Sequence, residues 1–241
     1  MKSSTLKWLE YVQLSSIPLR KLSEEKLPIG IASGCMIDYL NRRILLSVFH
    51  ATGKEGNWAV ELRFVKGKGA KLYYPGAFNF LAEMTLGIPE IRDVDFSYTE
   101  IPPDVESYFQ ELTPNGVIIS ERKRTVFRPT FEIFPTKEEL YGFSGQILPE
   151  FVPDMDTLVI EHNTYPGLKY DRTEDGYHVF KLPVEHPGHE RFEGCSGAPI
   201  LDTKGNIVAL VCSGNKTQNE IYGISLNKYK VALDITYAHI L

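Results

Sequence analysis

The most informative segment of this chain reads Phe192-Glu193-Gly194-Cys195-Ser196-Gly197-Ala198-Pro199-Ile200. It places a serine just before one glycine and two residues after another, which lets the backbone bend sharply and bring main-chain N–H groups close to the hydroxyl. A nucleophilic serine with an oxyanion hole requires both features. Taken alone, the segment also fits a glycine-rich turn between two strands. Whether the serine is a nucleophile therefore depends on other parts of the chain.

A histidine and an acidic residue occur in two earlier segments of β-type sequence. The apolar run 43–49 ends at His50 and is followed by a turn of small residues. Asp95 opens a second predicted strand. Asp93 is the alternative acidic residue, but Asp95 is favoured because an apolar residue follows it and the small Ser97 leaves room for an imidazole. The chain order is therefore histidine, aspartate, serine.

This order and the serine motif resemble a trypsin/chymotrypsin-like serine peptidase of the bacterial, intracellular, disulfide-free type. The match is strongest from Gly194 to about Leu233. Within it, residues 206–214 resemble the strand beside the specificity pocket, and residues 221–226 resemble the return strand before a C-terminal helix. Between Pro102 and Gln146 no motif can be aligned.

The chain departs from the family pattern near its proposed nucleophile. Ala198 replaces a glycine, and Cys195 stands where members activated from zymogens carry an acidic residue. Cys195 cannot supply a negative charge to pair with a freed amino terminus. We therefore expect that no propeptide has to be removed, and trimming near Ile29 should not be needed for activity.

The resemblance implies an all-β fold. It would consist of two six-stranded antiparallel β-barrels of the chymotrypsin-like type, with the active site in the cleft between them and a C-terminal helix. The expected division is an N-terminal extension at 1–27, a first barrel at 28–118 and a second barrel with the helix at 119–241, together forming one peptidase unit. Strands are predicted at 28–38, 43–50, 58–65, 70–75, 94–101, 138–144, 155–162, 177–182, 198–202, 206–212 and 220–226. A helix or extension is predicted at 4–24, a crossing between the lobes up to about residue 128, and a capping helix at about 227–239.

The resemblance also assigns roles to the three motif residues. Ser196 would attack a carbonyl carbon, His50 would act as its base, and Asp95 would hold the imidazole in the useful tautomer. The backbone N–H groups of Gly194 and Ser196 would form the oxyanion hole. Cys195 is the alternative nucleophile, but choosing it would leave no residue between Gly194 and the nucleophile.

The substrate pocket follows from the same resemblance. Its lining residues would be Glu190, Ser213, Gly214 and Gly223. An acidic Glu190 at the base of the pocket would favour a basic side chain before the scissile bond, because a buried carboxylate requires a cation.

The charge and composition of the chain argue against several classes of binding partner. The net charge is −5, and phosphate binding needs a basic face, so nucleic acid is not expected as a partner. The basic run 121–124 is interpreted as a solvated loop. No apolar run is long enough to span a bilayer, so no membrane association is expected. No cofactor or metal is expected either, since His186 and His189 lie in a predicted loop without further ligands nearby.

The chain has three cysteines, so they cannot all pair with one another, which suits a reducing, cytoplasmic location. A Cys195–Cys212 disulfide remains an open alternative at this point. The expected function is a serine endopeptidase acting on a protein or peptide substrate through an acyl-enzyme, with a regulatory protein partner as a further expectation. The alternatives are a catalytically silent binding or regulatory module, and an esterase or other acyl hydrolase that uses the same triad.

Overall fold

The computed structural model describes residues 4–53, 56–84, 91–113, 117–152 and 157–238. Its elements are α1 (Ser4–Ser15), β1 (Ile17–Leu22), β2 (Pro28–Tyr39), β3 (Arg42–Ser47), α2 (Phe49–Thr52), β4 (Asn57–Val65), β5 (Gly69–Tyr73), β6 (Asn79–Met84), β7 (Ile91–Ile101), β8 (Tyr108–Leu112), β9 (Ile118–Lys123), β10 (Val126–Phe127), β11 (Leu140–Val152), β12 (Thr157–Glu174), β13 (Tyr177–Lys181), β14 (Pro199–Asp202), β15 (Ile207–Asn215), β16 (Glu220–Ser225) and α3 (Leu226–Ala238). The predicted segments 1–27, 155–162 and 227–239 each include residues outside the described ranges. None of the helices within those ranges has both the length and the apolar character that crossing a bilayer requires.

The second half of the chain folds into a closed six-stranded barrel. The strands follow the order β11-β12-β13-β16-β15-β14, and β14 closes the ring by pairing with β11 at Tyr141–Asp202 and Gly142–Leu201. Closure leaves the barrel without a free edge. The interior is filled by large side chains that are fully buried, among them Phe143 and Phe180. This barrel and the all-β class agree with the fold predicted from the sequence.

The first half forms a larger sheet than predicted. Its hydrogen-bonded path runs β5-β4-β1-β2-β3-β7-β6, and β10 pairs with β2 in parallel, which makes eight strands. The prediction was a closed ring of six. Within the described residues, the path instead starts at β5 and ends at β6. One added strand, β1, comes from the segment 1–27 that was assigned to an extension, and it lies between β2 and β4.

The predicted helix at 4–24 ends early, at Ser15. Pro18 explains the change, because proline has no N–H for a helix interior and disfavours helical backbone at the preceding Ile17. The chain therefore continues as β1. The Nε1–H of Trp8 in α1 donates to the carbonyl of Asp202, at 2.7 Å, so α1 rests on the C-terminal barrel while β1 belongs to the other half.

The segment predicted to cross between the lobes contains strands of its own. β8 and β9 form a two-stranded antiparallel sheet, which Gln110 ties to β4 by donating to the carbonyl of Phe64 at 3.2 Å. The C-terminal helix is confirmed, and it packs across the back of β7. Tyr229 of α3 stacks on Phe96, with ring centroids 5.3 Å apart. Since Phe96 follows Asp95, this packing fixes the strand that carries the predicted acidic residue.

Candidate active site

His50 lies on a short helical turn rather than at the end of a strand. β3 stops at Ser47, and α2 begins two residues later because the N–H groups of Ala51 and Thr52 both bond the carbonyl of Val48. The hydroxyl groups of Thr52 and Ser97 are hydrogen bonded at 2.7 Å and tie this turn to β7. The side chain of His50 is 47% exposed, so its ring is accessible from solvent.

Asp95 lies on β7 directly beside His50. One carboxylate oxygen accepts the backbone N–H of His50 at 2.8 Å, and the other lies 2.8 Å from the ring Nδ1. Two contacts from one residue fix both the position of the carboxylate and the orientation of the imidazole. Asp93, the alternative, is exposed two residues earlier on the same strand.

Ser196 completes a continuous line of hydrogen bonds. The His50 Nε2 lies 2.9 Å from the Ser196 Oγ, while the Nδ1 of the same ring faces Asp95. With the Nδ1–H donated to the carboxylate, Nε2 is left as an acceptor for the serine proton. The structure thus brings the three predicted residues together from segments far apart in the chain.

The loop that carries Ser196 needs glycine at two positions. Gly194 has φ +86° and Gly197 has φ +88°, in the left-handed region that side chains rarely adopt. A Cβ on Gly194 would lie 2.7 Å from the carbonyl oxygen of Gln146, and one on Gly197 would overlap the carbonyl oxygen of Ser33. The two glycines therefore allow the loop to turn inside close-packed surroundings.

Ser33 of β2 holds this loop from the opposite half of the molecule. Its Oγ–H donates to the carbonyl of Gly194 at 2.7 Å, and its N–H donates to the carbonyl of Ser196 at 2.9 Å. The side chain is fully buried. Neither the Gly194 N–H nor the Ser196 N–H donates to another of the described residues. No local sequence pattern points to Ser33, since its partner lies 161 residues away.

Cys212 of β15 is a second contact that the sequence reasoning missed. Its Sγ lies 2.9 Å from the Oδ2 of Asp95. Burial raises the pKa of Cys212 well above its usual value and the charge of Asp95 raises it further, so the thiol keeps its proton and donates it. Cys212 directly precedes Ser213 in the segment that resembles the pocket strand. That neighbourhood was the only sequence signal that placed Cys212 near the site.

The pKa of Asp95 reflects opposing effects. Burial alone would raise it, but the hydrogen bonds and charge of His50, with a further hydrogen bond from Cys212, outweigh burial and lower the pKa below its usual value. The carboxylate is therefore ionised at neutral pH. An ionised carboxylate is the form that can stabilise a protonated imidazole.

Cys195 faces away from the other site residues. It is fully buried, with its Sγ 3.7 Å from the carbonyl oxygen of Gln146, and burial raises its pKa to about 12. A thiol that stays protonated is a poor nucleophile, which removes the reason for choosing Cys195. All three cysteines are free, so the Cys195–Cys212 disulfide is not formed.

The four predicted pocket residues lie in different environments and do not line one pocket. Glu190 is exposed on the turn His189–Arg191, so its carboxylate does not form a buried pocket base. Ser213 and Gly214 are exposed at the end of β15, next to Cys212. Gly223 faces the barrel interior, where a Cβ would lie 2.7 Å from the Cβ of Ala209. Only Ser213 and Gly214 are thus both accessible and adjacent to the site.

His186 and His189 form no metal site in the structure. Within the described residues, no group of three or more histidine, cysteine or acidic side chains is arranged to hold a metal ion. His186 instead accepts the N–H of Gly188 at its Nδ1, at 3.1 Å, and packs edge-on against Phe192, with ring centroids 4.7 Å apart.

Comparison with known proteins supports the fold. No protein-family model and no curated protein matches the sequence. The structure is similar to the serine endoprotease from Yersinia pestis (TM-score 0.55, 9% identity, covering 99% of this chain and 68% of that one). It is also similar to neuropsin, a serine protease of mouse brain (TM-score 0.57, 10% identity, 94% and 95% covered), and to HL collagenase (TM-score 0.53, 13% identity, 96% of each chain). The chain has the trypsin/chymotrypsin-like serine protease fold.

Proposed function

We propose that this protein is a serine endopeptidase that hydrolyses peptide bonds in protein substrates. One observation carries the proposal. The His50 ring lies between Ser196 and Asp95, 2.9 Å from the hydroxyl and 2.8 Å from the carboxylate. These distances are within the range that proton transfer from a serine to its base requires.

In the acylation half of the reaction, Ser196 Oγ attacks the carbonyl carbon of the scissile bond while His50 Nε2 takes the hydroxyl proton. The carbonyl π electrons move to its oxygen, which becomes an oxyanion. The N–H groups of Gly194 and Ser196 bind that oxygen. When the tetrahedral intermediate collapses, the C–N bond breaks, and His50 gives its proton to the leaving amine.

Deacylation repeats these steps with water. His50 takes a proton from a water molecule as the water oxygen attacks the acyl carbon. The ester bond to Ser196 then breaks, and the proton returns from His50 to the serine oxygen. Asp95 stays ionised throughout and stabilises the imidazolium that forms in each half.

A fluorophosphonate probe tests this proposal, because it reacts with a serine that has an activated hydroxyl. We expect the wild-type protein to be labelled, the Ser196→Ala variant to lose labelling and the Cys195→Ala variant to keep it. Labelling that disappears with Cys195→Ala and survives Ser196→Ala would contradict the assignment. An unlabelled wild-type protein would favour a catalytically silent module.

Peptide and ester substrates then separate the two hydrolase classes. We expect casein-type unstructured proteins and peptide reporters to be cleaved by wild type and not by Ser196→Ala. Cleavage of activated esters without any cleavage of peptides would favour an esterase and would contradict the endopeptidase assignment.

A further inference from the structure

The side chain of His186 lies against the open end of β15, beside the candidate site. A Cβ placed on Gly214 would lie 2.9 Å from the His186 Nε2, and the same ring packs against Phe192. Phe192 precedes the loop that carries Ser196, and the loop is bonded to β15 through the Gly197 N–H and the carbonyl of Val211, at 2.8 Å. His186 therefore lies between β15 and the nucleophile loop, the segment 194–197 that carries Ser196.

The tautomer of His186 follows from its hydrogen bond. The Nδ1 accepts the N–H of Gly188, so in the neutral ring the proton is on Nε2. Nε2 forms no hydrogen bond with any other part of the chain that the structure describes. The residue is only 5% exposed. The Nε2 atom is not among the buried atoms that lack a partner, so it stays accessible, and a ligand can supply the acceptor that this N–H does not find in the protein.

Charge at this position favours an anionic acceptor. Burial lowers the pKa of His186, a backbone hydrogen bond opposes this, and the positive charges of Lys216 and His189 lower the pKa further. Glu190, the carboxylate expected at the pocket base, is exposed to solvent instead. A neutral N–H donor beside basic side chains attracts a carboxylate and repels an ammonium group.

We propose that His186 is the specificity-determining residue of the candidate site and that it binds an acidic side chain, glutamate or aspartate, directly before the scissile bond. This inference rests on the proposed function for the position of the scissile bond. It replaces the preference for basic side chains that was predicted from Glu190. The carboxylate of the substrate would accept the Nε2–H in the space beside Gly214.

Binding measurements on Ser196→Ala protein test the pocket without requiring turnover. The probes are four libraries of N-acetylated tetrapeptides with free C-terminal carboxylates, which correspond to acyl products. Each library is randomised at three positions and ends in Glu, Gln, Leu or Lys. We expect the Glu library to bind about tenfold or more tightly than the other three, as one charge-assisted hydrogen bond would give.

Three further variants in the Ser196→Ala protein identify the residue responsible. His186→Leu should abolish the preference, and His186→Gln, which keeps an N–H donor, should retain part of it. Glu190→Gln is the matched control and should leave the preference unchanged. Thermal unfolding checks that each variant is folded, and His186→Gln provides the test if the leucine variant is not.

Two results would overturn the inference. One is a Lys library that binds most tightly and loses its advantage in Glu190→Gln. The other is a Leu or Gln library that binds as tightly as the Glu library. Fluorophosphonate labelling of wild type reports separately on the proposed function. A labelled protein without acidic preference would refute only the pocket, and an unlabelled protein with that preference would refute only the hydrolase.

Discussion

Replacing Ser33 with alanine should slow the reaction by loosening the oxyanion hole from a distance. The Ser33 hydroxyl donates to the Gly194 carbonyl at 2.7 Å. That carbonyl lies in the chain between the Gly194 N–H and the Ser196 N–H, the two proposed oxyanion donors. Without the hydroxyl, the buried Gly194 carbonyl loses its hydrogen-bond donor, and the peptide groups on either side become free to rotate.

Two magnitudes follow from this single contact. Leaving one buried polar group unpaired costs about 1–3 kcal/mol of folding free energy. For a chain of this size each kcal/mol lowers Tm by about 2–4 °C, so the loss is about 2–12 °C. Loss of one oxyanion donor lowers kcat by about 100- to 1000-fold, and a loosened donor should cost less, about 10- to 100-fold.

Ser47→Ala is the matched control for this variant. The Ser47 hydroxyl is also fully buried and donates to a backbone carbonyl, that of Ser33, at 2.8 Å. Both variants should lose similar stability in a thermal unfolding experiment, but only Ser33→Ala should lose kcat on a peptide reporter, with KM little changed. Equal losses of kcat in the two variants, or an unchanged kcat in Ser33→Ala, would refute the reasoning.

Substitutions at three other positions have expected outcomes. Asp95→Asn should lower kcat by about 10⁴-fold while the protein stays folded, because His50 loses its carboxylate partner; steady-state kinetics and circular dichroism check both parts. Cys212→Ala removes a donor to Asp95 and should lower kcat about tenfold, whereas Cys212→Ser keeps a donor and should stay within about threefold of wild type; equal rates would exclude a role for the thiol. Gly197→Ala forces a Cβ against the Ser33 carbonyl at φ +88° and should lower stability by more than about 3 kcal/mol, measured by urea unfolding.

The three residues that lie together in the structure could be singled out because each is in a segment with its own local signal. Ser196 is followed by a glycine, His50 follows an apolar run, and Asp95 opens a strand with alternating character. Their order in the chain then selected one fold. The geometry of His50 with Asp95 and Ser196 agrees with the arrangement that this order implied.

The supporting contacts could not be predicted in the same way. Ser33 and Gly194 meet only because two halves of the molecule pack together, and no local pattern encodes that meeting. The prediction that Glu190 lies at the base of a pocket was wrong for a related reason. The path of the segment before Ser196 depends on loop length rather than on residue type. The strand β1 was missed because a helical pattern precedes it, although Pro18 and Ile17 carried the signal for extended backbone.

These contacts also support the expectation that no cleavage near Ile29 is needed for Ser196 to react. Cys195 carries no charge at neutral pH, because burial raises its pKa to about 12, so a freed amino terminus would find no anionic partner there. The nucleophile loop is held by Ser33 instead, through neutral hydrogen bonds that are already formed.

Trimming near Ile29 would moreover remove β1, which pairs with both β2 and β4. Because β2 carries Ser33, loss of β1 would free one edge of the strand that supports the nucleophile loop. We therefore expect fluorophosphonate labelling of the intact chain at full rate, and slower labelling with lower Tm after removal of residues 1–28. An intact chain that stays unreactive until it is cut near Ile29 would show that the loop is not preformed and that charge pairing, not Ser33, assembles it.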